Sequence, residues 1–275
     1  MKRLLLLSLI PIFGFGFQSL AQGDLIVSPA RLVFDNKKQM QELNLVNIGK
    51  DTAVYTISFV QKNMKEDGSF VNIVEPDAGQ MFAEPFMRIF PRIIKLAPGK
   101  PQVIKLQYVR KSDMADGEYR SHLYFRAEKG DTPLGMSDVK IDSTKLVVQL
   151  IPVFGISIPI IIYSGSVNMA STLSDMKISN GQKDLQTLKF TINRTGNKSA
   201  YGDLAVEFAP KQGKPYPVGI MNGVGVYTNI DKRNITLNLT NDSGKKLKNG
   251  KLKVKYMTSN EKKPVLLAKA ELDID

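Results

Sequence analysis

One arginine near the start of the chain is the residue whose type and setting most directly indicate chemistry. Arg31 lies in residues 28–35, a segment that is otherwise apolar and typical of a β-strand. A guanidinium group that is buried without a partner costs free energy, because it loses its hydration. An arginine on an apolar strand therefore predicts a bound acid. The expected ligand is a carboxylate, which can pair with two guanidinium nitrogens at once.

Side chains suited to enzymatic or metal chemistry are scarce. The chain has no cysteine and a single histidine, His122, which falls in a strand-like segment beside Tyr124. Zinc needs three or four nitrogen or sulfur ligands, and calcium needs a spaced set of acidic residues. The sequence offers neither set, nor a nucleophile elbow, an acid–base pair or a glycine-rich phosphate loop; calcium held by scattered Asp and Glu is the alternative. We therefore expect a non-enzymatic protein without cofactor or metal, in which His122 is structural.

The first 21 residues have the features of a secretion signal. Lys2 and Arg3 precede an apolar stretch, 4–17, and Ser19 and Ala21 are small residues at the positions that signal peptidase recognises. This stretch is short for a membrane span, which needs roughly 20 residues; a retained anchor is the alternative. We expect cleavage near Ala21 and a periplasmic mature protein of about 254 residues, without a stable membrane anchor.

The expected mature chain is basic and contains no disulfides. Its formal charge falls from +12 to +10 once Lys2 and Arg3 are removed, and its lysines are spread along the chain. Such a surface could attract nucleic acid, an anionic membrane or an acidic protein. Export argues against nucleic acid as a partner. Stability has to come from hydrophobic packing, for which a chain of this length is ample.

Strand-like patterns follow one another along the first half of the chain. Residues 42–48 alternate, residues 53–60 are rich in β-branched and aromatic side chains, and Asp67-Gly68 predicts a hairpin turn. A further turn is expected at 96–100. Residues 116–119, Asp-Gly-Glu-Tyr, match the tyrosine corner of immunoglobulin-like domains, with an ordinary turn as the alternative. Together these segments predict an all-β sandwich.

An unusual apolar run covers residues 145–163 and contains Pro152 and Pro159. A strand with one buried face alternates in polarity, whereas one that is buried on both faces does not. Proline cannot donate to a sheet ladder and so favours edges or bulges. The run is either a central strand interrupted by proline or an edge strand that pairs with a strand of another protein.

A second set of strands is expected after residue 164, where lysine and asparagine become more frequent. Lys248-Asn249-Gly250-Lys251 predicts a two-residue hairpin within this set. The predicted strands cover residues 185–193, 203–209, 235–240, 251–257 and 265–272. This spacing predicts a second, smaller β-sandwich.

The order of the segments resembles that of PapD-like periplasmic pilus chaperones, and most of all a divergent, archaic-type member. The resemblance covers residues 24–163 and depends on the arginine-bearing first strand, the turn at 47–50, the segment 91–106 and the turn at 116–118. It implies two immunoglobulin-like domains set at an angle, spanning 22–163 and 164–275. Such proteins bind pilus subunits in the cleft and complete the subunit's sandwich with a strand of their own. The implied partners are secreted subunits, with an outer-membrane usher as a further candidate.

The resemblance also implies roles for individual residues. Arg31 matches the family's first-strand arginine, which binds the subunit's terminal carboxylate. The accompanying lysine of the family's last strand has no counterpart in residues 146–162 of the apolar run. Either another residue replaces it, for example Lys145, or the client is held differently. Leu146, Val148 and Leu150 would project from one strand face and contact the subunit.

Lys105 and Glu118 occupy places that resemble the charged cluster between the family's two domains. Two solvated surface charges are the alternative for this pair, and they would contribute about 0–1 kcal/mol to stability.

Two other functions stay open at this point. One is an exported structural or adhesive sandwich, such as a pilus subunit, although about two residues between Gln22 and the first strand leave little room for a subunit's N-terminal extension. The other is a sugar-binding module, which would favour exposed aromatic side chains; the chain has no tryptophan and is 8% aromatic. Both alternatives predict that Arg31 is dispensable.

Overall fold

The computed structural model describes residues 25–128, 155–180, 186–240, 246–259 and 263–275. The predicted secretion signal and residues 145–154 of the apolar run lie outside these ranges. Within them the secondary structure is nearly all β, with one turn of 3₁₀ helix at Glu84–Phe86. The strands are β1 Leu25–Ser28, β2 Leu32–Phe34, β3 Met40–Asn47, β4 Ala53–Met64, β5 Phe70–Ile73, β6 Met87–Phe90, β7 Ile93–Leu96, β8 Pro101–Tyr108, β9 Gly117–Ala127, β10 Gly155–Ser164, β11 Met169–Asn180, β12 Gln186–Gly196, β13 Ala200–Pro210, β14 Tyr216–Val226, β15 Lys232–Asn238, β16 Gly250–Thr258 and β17 Leu266–Ile274.

The first ten strands form an immunoglobulin-like sandwich. One sheet has the order β1-β3-β8-β6, and the other has the order β2-β10-β9-β4-β5 with β7 also paired to β4. Alternate side chains of both sheets meet in one core, as the predicted alternation in β3 requires. Leu43 and Leu45 of β3 and Leu123 and Phe125 of β9 are fully buried there.

The predicted tyrosine corner is present at the start of β9. The hydroxyl of Tyr119 donates a hydrogen bond of 3.3 Å to the carbonyl of Ala115, four residues upstream. Its ring packs edge-to-face on Phe86 in the core. The hairpin predicted at Asp67-Gly68 is also confirmed, because it joins the antiparallel pair β4 and β5. Gly68 adopts the left-handed φ of 85° that favours glycine.

The remaining strands form a second sandwich with a separate core. Its sheets have the orders β11-β12-β15 and β14-β13-β16-β17. Leu188 and Ile192 of β12 pack in this core with Leu204 of β13 and Val254 of β16. The expectation of an all-β chain with two sandwiches is thus confirmed. We keep 22–163 and 164–275 as our proposed division of the chain.

The hairpin predicted at Lys248-Asn249-Gly250-Lys251 is wrong. These residues lead into β16, whose described partners are β13 and β17, whereas the preceding β15 pairs with β12 in the other sheet. Asn249 does take a left-handed φ of 53°, as a turn residue would. Turn-forming residues such as Asn and Gly indicate the local backbone conformation, but they do not determine which strands pair on either side of the turn.

Candidate ligand site between the two domains

Arg31 lies in the connection between β1 and β2 and not on a continuous strand, which corrects the sequence expectation. β1 pairs with β3 in the first sheet, whereas β2 pairs in parallel with β10 in the second sheet. The chain therefore crosses from one sheet to the other at residues 29–31, where Pro29 has no N–H to donate to a ladder. The crossing places Arg31 directly before β2, where it is half-buried.

The guanidinium group of Arg31 contacts the second sandwich. Its central carbon lies 4.0 Å from the ring centroid of Tyr201, in β13, which is a cation–π contact. Among the described residues, no carboxylate lies within ion-pairing distance of Arg31. Burial lowers the pKa of Arg31, and the positive charge of Arg120 lowers it further. Arg31 thus carries a charge that its protein neighbours compensate incompletely.

Glu118 bridges the two sandwiches from β9. Its carboxylate accepts hydrogen bonds from the backbone N–H of Ser199 at 2.8 Å and from the Ser199 hydroxyl at 2.7 Å. It also pairs with Arg120, whose Nε and Nη2 lie 2.8 Å and 2.6 Å from Oε1. Burial acts to raise the pKa of Glu118, but Arg120 and Ser199 lower it, and the net shift is downward. Glu118 therefore stays ionised while it is almost completely buried.

Strand β9 can hold these charges because both of its faces are covered. Residues 117–123 are buried without alternation, since one face meets the core and the other meets the second sandwich. On the latter face, Arg120 stacks on Tyr227 with its central carbon 3.8 Å from the ring centroid. Tyr163, opposite Glu118 in β10, completes this set. We call the set the interdomain cluster; its members are Arg31, Glu118, Arg120, Tyr163, Ser199, Tyr201 and Tyr227.

Two groups on the same face of β9 have buried polar atoms without a hydrogen-bond partner among the described residues. One is Nη1 of Arg120, and the other is Nδ1 of His122. His122 lies among the rings of Phe70 and Tyr227, at centroid distances of 6.0 Å and 6.2 Å. Burial, followed by the charge of Arg120, lowers the pKa of His122 to about 3. The imidazole is therefore neutral at neutral pH, and a base of such low pKa is poorly suited to general-base catalysis.

The number of strands that neighbour β10 differs along its length, and the change occurs beside Arg31. Residues 160–162 lie between β9 on one side and β2 on the other. Residues 155–159 pair with β9, and among the described residues no strand covers their other edge. The described part of the run thus combines the two alternatives left open by the sequence. It is a central strand at one end and an edge strand at the other, and Arg31 lies where the two parts meet.

The expectation that Lys105 joins Glu118 in an interdomain cluster is wrong. Lys105 is exposed in β8, on the outer face of the four-stranded sheet, where its cross-strand neighbours are Glu42 and Phe90. Two shallow cavities of about 450 and 500 Å³ on this face both include Lys105 in their lining. Alternation explains the position, because Ile104 and Leu106 face the core and the residue between them must face outward.

The cationic partner of Glu118 that the sequence reasoning missed is Arg120. The signal was available, because residues two apart on a strand share a face and the pattern Glu-Tyr-Arg occurs at 118–120. The predicted subunit contacts Leu146, Val148 and Leu150, and Lys145, lie outside the described residues. In the described part of the chain, no group of three or more His, Cys, Asp or Glu side chains could hold a metal. In that same part, no helix is long and apolar enough to cross a membrane.

Comparison with known proteins returned matches among solved structures. No protein-family model matches the chain, and no curated protein matches its sequence. The chain is similar in structure to pilus chaperones. The CupB2 chaperone of Pseudomonas aeruginosa matches with 11% identity, 91% coverage of this chain, 100% coverage of its own and a TM-score of 0.45. The YadV chaperone matches with 12% identity, coverages of 90% and 98%, and the same score.

A third match belongs to an assembly complex. It is the CsuC–CsuE chaperone–tip adhesion subunit pre-assembly complex from archaic chaperone-usher Csu pili of Acinetobacter baumannii. The identity is 14%, the coverages are 90% of this chain and 98% of that chain, and the TM-score is 0.45.

Proposed function

We propose that this protein is an exported, periplasmic chaperone that binds pilus subunits and caps them with one of its own strands until outer-membrane assembly. It acts by binding, without catalysis. The observation that carries the proposal is the position of Arg31. Its half-buried guanidinium has no carboxylate partner among the described residues, and it lies where β10 loses its second neighbouring strand.

The positive charge of Arg31 indicates which group of the client it binds. A carboxylate supplies both the negative charge and the paired oxygens that a guanidinium fork binds best. The aromatic face of Tyr201 supports the cation from one side, and Tyr163 forms a side-chain hydrogen bond with Arg31. The remaining in-plane N–H groups of the guanidinium are the donors that we assign to such a ligand. The C-terminal carboxylate of a protein chain meets this requirement and also marks the end of the bound strand.

The edge of β10 at residues 155–159, which no described strand covers, determines the direction of that client strand. β2 runs parallel to β10 and begins directly after Arg31. A client strand that lies on the same edge, in front of β2 and parallel to it, ends with its carboxylate at Arg31. An antiparallel strand would place its amino terminus there, against a like charge. The proposal therefore includes a parallel client strand, held by main-chain hydrogen bonds of the kind used in β-strand addition.

Leu146, Val148 and Leu150 are our proposed apolar contacts with the client. Their positions in the sequence have the same parity as Ile156, Ile158 and Ile160, whose side chains belong to the core or pack against it. Side chains at every second position of a strand share a face. A chaperone strand that continues this pattern would present these side chains to an incomplete client sandwich. An outer-membrane usher is the further partner that this function implies.

Co-purification tests the function. The wild-type protein, Arg31→Ala and the control Arg88→Ala would be tagged and purified from periplasmic extract, because Arg88 is an exposed arginine on the other sheet. We expect wild type and Arg88→Ala to carry a β-rich partner in stoichiometric amount, and folded Arg31→Ala to lose it. If wild type emerges alone, or if Arg31→Ala keeps its partner, the protein is an exported two-sandwich protein of another kind.

A further inference from the structure

The interdomain cluster contains more positive charge than its own residues balance. Arg31 is half-buried and Arg120 is buried, and Glu118 is the carboxylate near them among the described residues. That carboxylate is already bound by Arg120 and by two donors of Ser199. One buried carboxylate, paired with Arg120 and not with Arg31, leaves a net positive site, and a charge that is removed from water is costly without an anion.

Arg120 also has an unused donor at this place. Its side chain is 7% exposed, and its Nε and Nη2 bind Glu118. Its Nη1 is buried without a partner among the described residues. A water molecule could accept a hydrogen bond from Nη1, but it would leave the second positive charge unbalanced. An anion that reaches both arginines satisfies the donor and the charge together.

We propose that Arg120 is the second anchor of the client's terminal carboxylate, and that the carboxylate lies between Nη1 of Arg120 and the guanidinium of Arg31. The inference rests on the proposed function for the identity of the ligand, while the anion site itself rests on the geometry of the cluster. Arg120 supplies this anchor from β9, the strand next to β10.

The second sandwich contributes to this site by fixing the two guanidinium groups. Tyr201 stacks on Arg31 and Tyr227 stacks on Arg120, at 4.0 Å and 3.8 Å from the ring centroids. Both tyrosines belong to the second sandwich, and both arginines belong to the first. The geometry of the carboxylate site therefore depends on the two domains together. Preorganised groups of this kind lose little further freedom when a ligand binds.

A small carboxylate tests the site without any client. The full-length mature protein, labelled with ¹⁵N in its arginines, would be titrated with N-acetylvaline as a mimic of a terminal residue. N-acetylvalinamide serves as the uncharged control. We expect the Nε–Hε signals of Arg31 and Arg120 to shift together and saturably with the acid, and to remain in place with the amide. If Arg31 shifts while Arg120 does not, or if acid and amide act alike, the inference is overturned.

Arg120→Lys adds a second readout, because lysine keeps a positive charge for Glu118 but lacks the second nitrogen of the fork. We expect this variant to bind N-acetylvaline about ten-fold more weakly than wild type, the loss typical of one charge-assisted hydrogen bond. An unchanged affinity in the folded variant would overturn the inference. The proposed function fails separately, if the acid binds both arginines but no partner co-purifies with the wild-type protein.

Discussion

Glu118 is the residue at which the stability of the domain junction depends most clearly on protonation. Its pKa is lower in the folded protein than the ordinary value of 4.5. A carboxylate of this kind stabilises the fold fully above that ordinary value, and the contribution is lost as pH falls through the lower, folded value. The ion pair with Arg120 and the two bonds from Ser199 are therefore expected to weaken in acid.

Replacing Glu118 by glutamine tests this expectation. Glu118→Gln leaves Arg120 buried without its counter-charge, so the free energy of unfolding should fall by about 3–5 kcal/mol at pH 7. The difference from wild type should shrink as pH is lowered below 4.5, because the carboxyl of the unfolded wild-type chain takes up a proton first and that of the folded protein follows at lower pH. Urea unfolding of both proteins between pH 3 and pH 7 measures it.

The matched control is Glu271→Gln, which removes the carboxylate of the exposed Lys251–Glu271 pair. Exposed pairs contribute little to stability because water screens them, so its unfolding midpoint should stay close to that of wild type. If the Glu118→Gln difference were the same at every pH, the ionised carboxylate would not be its cause.

At the scale of single residues, the sequence indicates which charged residues are buried better than it indicates which residues they contact. The cost of burying an arginine singled out Arg31, and Glu118 was recognised as a candidate for a charged cluster. The partner of Glu118 could not be chosen correctly, since Lys105 and Arg120 are both cations at plausible distances along the chain. Strand assignment to a sheet decides between them, and that assignment is a long-range property.

At the scale of single elements, the prediction on client capture concerns the part of the apolar run that precedes β10. Val148→Glu should abolish co-purification of the client, because the charged side chain would enter an apolar groove of the client at the cost of its hydration. Val147→Glu is the matched control, with the same change on the opposite face. Both proteins should unfold like wild type in urea. Equal loss of the client in the two variants would contradict the assigned face, and unfolding of Val148→Glu would assign that face to the protein's own core.

The hairpin between β4 and β5 carries a second prediction. The backbone N–H of Asn234, in the second sandwich, donates to the carbonyl of Glu66 at 2.7 Å. A methyl group on Gly68 would overlap the guanidinium of Arg233, also in the second sandwich. We expect Gly68→Ala to displace Arg233, loosen the hairpin contact and speed hydrogen exchange at the Asn234 amide.

Gly99→Ala is the control for backbone strain. Gly99 also has a left-handed φ, 67°, but a methyl group there meets no atom within 4 Å. Both substitutions should cost about 1–2 kcal/mol for the left-handed backbone, and Gly68→Ala should cost more. If hydrogen exchange at Asn234 rises equally in the two variants, the hairpin does not depend on the contact with Arg233.

The elements missed by the sequence reasoning have specific causes. β11 contains a register shift between Ser174 and Lys177, with Asp175 at a φ of 55°, and the shift interrupts its alternation. β14 contains Pro217 and the glycines at 219, 223 and 225, residues that ordinarily indicate a loop. Regular strands such as β3 could be predicted because their alternation is local. The irregular strands form through pairing with neighbours that are distant in sequence.

At the scale of the whole molecule, one buried arginine holds together the loops of the second sandwich that contact the first sandwich. Arg194 is 3% exposed and joins the loop after β12 to the loop after β14. Its donors reach the carbonyls of Gly196, Lys198, Thr228 and Ile230, at 2.7 to 3.3 Å, and the carboxylate of Asp231 at 3.4 Å. The same two loops supply contacts to the first sandwich from Asn197, Ser199, Tyr227 and Asn229.

Removal of this guanidinium should therefore disturb both stability and domain arrangement. Arg194→Met leaves several buried carbonyls without a donor and should cost about 3 kcal/mol of unfolding free energy. We also expect faster hydrogen exchange at the Ser199 amide, which binds Glu118 across the junction. Asp231→Asn is the control, because the Asp231 side chain is 93% exposed and its removal should leave both quantities near wild type. Equal behaviour of the two variants would contradict the role of Arg194.

The most direct test of the central claim, that a client's C-terminal carboxylate lies at Arg31, is site-specific photo-cross-linking in the recovered chaperone–client complex. A photoreactive amino acid would replace Lys198, whose ammonium nitrogen lies 4.7 Å from the ring centroid of Tyr163 in the interdomain cluster. A second protein would carry it at Lys105 on the outer sheet face. We predict that cross-links from position 198 map by mass spectrometry to the last residues of the client, and that position 105 gives no such product. Cross-links from position 198 to internal client residues, or to the client's amino terminus, would contradict the claim.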